Sequence, residues 1–178
     1  MPFPPWLNRI DAAMTGWMAR HGVGILRRSL GVIFFWFGVL KFFPGLSPAS
    51  ELAVSTIDAL TFGRVAPAVA INVLAAWECL IGLGLFFGVA MRATLFLLWV
   101  QMLGTVTPIF LFPELVFTRA PYAPTLEGQY IIKNLVLVSA GIVIGATVRG
   151  GGLVADPALK RADASASAQG AGARSADV

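Results

Sequence analysis

Residues 65–112 read VAPAVAINVLAAWECLIGLGLFFGVAMRATLFLLWVQMLGTVTPIFLF, and this stretch decides the fold class. Between Arg64 and Arg92 lie 27 residues with a single charge, Glu78, and between Arg92 and Glu114 lie 21 with none. A membrane span needs about 20 mostly apolar residues. The stretch therefore holds two spans, Val65 to Val89 and Ala93 to Phe112, reversed at Arg92. Working outward, Gly24 to Phe43 reads as a first span and Tyr130 to Val148 as a fourth. The first is the least clean, because 12 residues separate Arg28 from Lys41, roughly 18 Å of helix. One or both cations must snorkel outward or find a partner inside the bundle.

Composition agrees with an all-α membrane protein, a four-helix transmembrane bundle over residues 24–148. The chain has 178 residues, 57% apolar and 12% charged, with a mean hydropathy of +0.80. A soluble domain carries about 25% charge, and four spans leave no room for a separate soluble catalytic domain. One cysteine, Cys79, allows no internal disulfide, C-x-x-C pair or cysteine metal cluster within the chain. One histidine, His21, lies ahead of the first span and cannot build a bis-histidine haem or His-rich zinc site. No residue set reads as catalytic, so electron or metal chemistry has to come from a partner or a bound cofactor. The net charge of +4 is modest and not gathered on one face, which argues against nucleic acid as a partner.

Nine Lys and Arg residues fall on one side of the spans (Arg9, Arg20, Arg27, Arg28, Arg92, Arg149, Lys160, Arg161 and Arg174) and four on the other (Lys41, Arg64, Arg119 and Lys133). The positive-inside rule places both termini in the cytoplasm. An uncleaved first helix is expected rather than a signal peptide, since the charged segment ahead of it is long and no Ala-x-Ala-like site follows Phe43 closely. Within residues 1–23, Trp6, Leu7, Ile10, Ala13, Met14, Trp17 and Met18 recur at helical spacing, which predicts an amphipathic helix in the cytoplasmic interface or packed on the bundle. Ser47 as N-cap, Pro48 at the first helical position and Gly63 past the end predict a short helix over the outer mouth. The loop from Glu114 to Gln129, with Pro121 and Pro124, is expected to lack long regular structure. The Gly-, Ala-, Ser- and Asp-rich residues 149–178 read as a disordered tail.

Glu78 is the most informative residue, 14 positions from both Arg64 and Arg92 and so near the bilayer midplane. A charge there costs roughly 2.5–3.5 kcal/mol on insertion scales, so it must face the interior, pair with a cation or be protonated. Lys41 and Lys133 are the cations on offer, and Gln101 and Thr105 stand one turn apart on the third span. All five are expected to converge on the outer half of the bundle. Two readings of the set stand side by side: an internal ion pair that sets helix register, and a polar pocket for an anion or a quinone-like headgroup. Two lysines to one carboxylate would make such a pocket net positive. Gly84 with Gly88, and Gly141 with Gly145, are small-residue pairs at seam spacing, and Gly31, Gly38 and Lys41 share one face of the first span. Pro108 is expected to bend the third helix and free a carbonyl. Cys79 reads as an inert apolar thiol.

Arg28 to Gly45, RSLGVIFFWFGVLKFFPG, resembles the first-helix signature of the DoxX-like bacterial membrane proteins, in particular the branch that includes the reactive-chlorine-resistance inner-membrane protein. Thr107 to Phe112, TPIFLF, and Glu127 to Leu137, EGQYIIKNLVL, are similar to that family as well. The first outer loop is shorter here than in the chlorine-resistance branch. The resemblance covers about residues 27–148 and implies a multi-pass protein of the bacterial inner membrane, linked to sulfur or quinone redox metabolism or to oxidative-stress defence. Matching family positions are Lys41, Pro44, Thr107, Pro108, Glu127, Lys133 and Asn134. Together the residues and the resemblance give a ligand-binding set of Lys41, Glu78, Gln101, Thr105, Thr107, Lys133 and Asn134, with quinone as the expected ligand and no metal. The leading expectation is an accessory membrane subunit of a redox system. The alternatives are a small-solute exporter, which would need an oligomer, and a membrane scaffold for a soluble oxidoreductase or sulfurtransferase.

Overall fold

The computed structural model describes residues 5–47 and 50–153. In chain order the elements are α1 (Pro5–Lys41), α2 (Ser50–Thr61), α3 (Pro67–Phe87), α4 (Met91–Val106), α5 (Pro108–Leu111), α6 (Pro113–Val116), β1 (Phe117–Arg119), β2 (Ala123–Pro124) and α7 (Leu126–Thr147). Among the described residues four stretches are long and apolar enough to cross a membrane: Arg9–Lys41, Pro67–Phe87, Met91–Leu111 and Leu126–Thr147. The surface agrees, since Trp36, Leu103, Phe110 and Leu135 are each more than 60% exposed. Apolar area on that scale is tolerated against lipid and not against water. The chain is thus a multi-pass, four-helix membrane protein.

The spans form one compact unit, Gly24–Arg149, in which consecutive spans are antiparallel. Each buries a stripe at helical spacing: Ala70, Ala75, Glu78, Ile81, Gly82 and Leu85 on α3, and Thr94, Leu95, Leu98, Gln101 and Met102 on α4. Missing side chains let α1 and α3 approach closely. A Cβ on Gly31 would meet the Phe86 nitrogen at 2.7 Å, one on Gly38 the Cys79 nitrogen at 2.9 Å, and one on Gly82 the Phe35 nitrogen at 2.4 Å. Gly84 accommodates Thr94 of α4, and Gly141 of α7 accommodates Leu98. With no hydrophobic drive between helices inside lipid, such close backbone approach is a main source of association.

Several boundaries differ from the sequence reading. Helix α1 has no break ahead of Gly24, because Gly16, Gly22 and Gly24 weaken a helix without stopping it and no proline intervenes. It ends at Lys41 rather than Phe43. Helix α7 begins at Leu126, four residues before the expected Tyr130, because Thr125 is a built N-cap: its hydroxyl accepts from the Gly128 amide at 3.1 Å and donates to the Leu115 carbonyl at 2.6 Å. The loop ahead of it has no long regular structure, as expected, and holds only the short helix α6 and the antiparallel pair β1–β2. Helix α2 starts at Ser50 over the Ser47 carbonyl, which accepts from the Ser50 amide and hydroxyl. Pro48, the expected first helical residue, lies outside the described residues, as do 154–178 of the expected disordered tail. Gly63 ends α2 as expected, its amide reaching back to the Asp58 carbonyl at 2.9 Å with φ at +72°.

Gly88 turns out to be a C-cap rather than a seam residue. Its φ of +73° lets its amide and that of Val89 bond the Gly84 carbonyl. Over this helix end lies Arg27, whose guanidinium donates to the carbonyls of Leu85 and Phe86. A cation there satisfies orphan carbonyls and meets the negative end of the helix dipole. Arg27→Ala is accordingly expected to lower stability by roughly 1–2 kcal/mol, read by thermal unfolding in detergent micelles. An unchanged midpoint would remove Arg27 from this role.

Candidate functional site

The third span shows how a membrane helix manages a proline. Pro108 cannot donate to the Gly104 carbonyl, and its ring displaces that turn. The freed oxygen accepts from the Thr107 hydroxyl at 2.7 Å and the Thr107 amide at 3.3 Å. Thr107 keeps helical angles, φ −58° and ψ −34°, so α4 passes into α5 without a loop. The hydroxyl of Thr107 is thereby committed to its own backbone. That of Thr105 is committed as well, donating to the Met102 carbonyl at 2.9 Å.

The chemistry gathers one turn further in. Glu78 lies roughly 16 Å of helix from Pro67 and 14 Å from Phe87, on the buried stripe of α3. Its Oε2 accepts from Lys41 Nζ at 2.6 Å and its Oε1 from Gln101 Nε2 at 3.0 Å. Three helices, α1, α3 and α4, contribute one side chain each. The ion pair is enclosed by protein itself, with 8% of the Lys41 side chain and 10% of the Glu78 side chain exposed. Among the described residues no buried side-chain nitrogen or oxygen lacks a partner. Lys41 owes its position to the end of α1, where its ammonium also turns back to the Phe37 carbonyl at 3.5 Å, a cation in the last turn of a helix.

Of the seven residues expected to make the site, the structure brings together Lys41, Glu78 and Gln101. Thr105 and Thr107 repair their own helix, as described. Lys133 does not join the carboxylate: it is exposed, with Nζ 5.7 Å from the centre of the Tyr130 ring, a cation–π distance. Asn134, one residue on, is half-buried. The geometric reason is axial offset. The seam between α4 and α7 pairs Leu98 with Gly141 and Leu95 with Gly145, so Lys133 stands level with the C-terminal end of α4, more than a turn beyond Gln101. The expected two-lysine, net-positive pocket is therefore corrected to one ammonium on one carboxylate, with no net charge.

Three contacts around this group were not foreseen. Trp77 sends its indole N–H to the Leu97 carbonyl at 3.2 Å and ties α3 to α4 beside Glu78. Gly82 supplies the closest approach to α1. Cys79 faces the same seam, its thiol 3.9 Å from the Phe35 carbonyl, and packs as a small residue. The signal for the last two was present in the sequence: Ala75, Cys79 and Gly82 repeat small side chains over seven positions, matching the seven from Gly31 to Gly38. Among the described residues no group of three His, Cys, Asp or Glu side chains could hold a metal ion. Comparison with known proteins finds no matching family model, no matching curated protein and no matching solved structure.

Proposed function

We propose that this chain is a DoxX-like protein of the bacterial inner membrane, with both termini cytoplasmic, that serves as an accessory membrane subunit of a redox or oxidative-stress-defence system. The Lys41–Glu78–Gln101 group binds a quinone or a small oxidised species, and a partner supplies the redox centre. The observation that carries this reading is the ion pair itself, held at membrane depth by three helices. Intramembrane ionisable groups are costly, and a functional site is their default explanation. Lys41 has three N–H donors and uses one on Glu78 and one on the Phe37 carbonyl, which leaves one to donate to a quinone carbonyl without breaking the pair. Orientation rests on the distribution of Lys and Arg over the full sequence, nine on the side of the termini against four on the other.

The test is titration of a ubiquinone or menaquinone analogue into detergent-purified protein. Saturable binding is expected, weakened about tenfold or more by Glu78→Gln, the scale of a hydrogen bond to a charged group. Lys133→Ala, remote from the carboxylate, is expected to leave it unchanged. Absent binding, or binding indifferent to Glu78→Gln, removes the quinone site.

A further inference from the structure

A shallow, open groove of about 350 Å³ runs between the start of α4 and the end of α7, lined by Arg92, Leu95, Phe96, Trp99, Gly145, Val148 and Arg149. Its polar end and its apolar floor are chemically distinct. Arg92 and Arg149 stand at the mouth, both exposed, and among the described residues neither has a carboxylate within 4 Å. From Arg92 the groove follows α4 for two turns to Trp99, roughly 10 Å into the apolar layer. Gly145 keeps the floor open, since the nearest atom to a Cβ built there is a Leu95 methyl at 3.7 Å. All seven lining residues belong to the one compact unit.

We infer that this groove is a binding site for an anionic phospholipid of the surrounding bilayer, with its phosphate on the two guanidiniums and one acyl chain along Leu95, Phe96 and Trp99. Guanidinium forks match phosphate oxygens in pairs, and basic grooves between helices at the arginine-rich face of a membrane protein suit acidic headgroups. Charge complementarity selects this occupant. A phosphate engages both guanidiniums in charge-assisted bonds that a neutral ring cannot match, while a free anion gains nothing from 10 Å of aromatic wall. The site is separate from the Glu78 group, which lies about three turns deeper along α3 than the Gly88 turn.

Lipid adducts on the full-length protein, counted by native mass spectrometry, test the assignment with phosphatidylglycerol and phosphatidylcholine as probes and inorganic phosphate as a third arm. Phosphatidylglycerol is expected to bind more tightly than phosphatidylcholine, with inorganic phosphate failing to displace it. Arg92→Gln or Arg149→Gln should weaken phosphatidylglycerol about fivefold each, and the double substitution about 25-fold. Both positions are exposed, so folding is retained, and an unchanged elution profile checks this. Gly145→Leu, which fills the floor and keeps both cations, should weaken either lipid. Equal affinity for the two lipids, displacement by inorganic phosphate, or a headgroup preference that survives the double substitution overturns the proposal. So does a protein dimer that occupies the groove and dissociates with Gly145→Leu.

Discussion

Lys41→Met is expected to destabilise the protein by about 3–5 kcal/mol, the cost of leaving one member of a buried ion pair without its partner. The Glu78 carboxylate would keep Gln101 Nε2 at 3.0 Å and lose the 2.6 Å ammonium contact, and among the described residues no other lysine stands near enough to replace it. The double variant Lys41→Met with Glu78→Leu should recover most of the loss, because apolar side chains of similar volume often replace a buried ion pair without penalty. Equilibrium unfolding in bicelles reads both. The comparison separates fold from function: the double variant is expected to be folded yet unable to bind the quinone analogue. If the single and double variants are equally unstable, the pair does not hold the helices as described.

Gly82→Ala should be the other severe change. A Cβ there would stand 2.4 Å from the Phe35 nitrogen and 2.7 Å from its Cα, about 1 Å inside ordinary contact. The obstacle is helix backbone, which cannot rotate away, so α1 and α3 must separate along the seam that brings Lys41 to Glu78. Overpacking of this kind costs about 1–3 kcal/mol, and the loss of seam contacts adds to it. Gly104→Ala is the matched comparison, because a Cβ at Gly104 meets nothing within 4 Å, and there the better helix propensity of alanine should leave stability equal or higher. Thermal unfolding of the two variants side by side decides the matter, and equal midpoints would mean that the α1–α3 seam is loose.

Much of this arrangement is written in local pattern. Runs of apolar residues longer than a span leave the backbone no choice inside lipid but to satisfy itself as helix, so the spans are legible to within a few residues. The misplaced boundaries share a cause. Thr125 caps α7 through a carbonyl ten residues upstream, and α1 continues through Gly22 and Gly24 because weak propensity alone does not end a helix. Neither fact is carried by hydropathy. Gly88 was misread for a related reason: its spacing from Gly84 suits a seam, while its φ makes it a cap.

The charged groups divide in the same way. That Glu78 must face the interior, find a cation or be protonated follows from its depth and the energy of an uncompensated charge in lipid, both of which can be computed along one chain. Which lysine answers it depends on how far the helices slide against one another. That sliding is set by Gly31, Gly38 and Gly82 on one seam and by Leu98 against Gly141 on the other. It puts Lys41 beside the carboxylate and leaves Lys133 level with the C-terminal end of α4, over Tyr130. Spacing along a helix is local, whereas axial register between helices is a property of packed surfaces, so it emerges only when the helices are in contact.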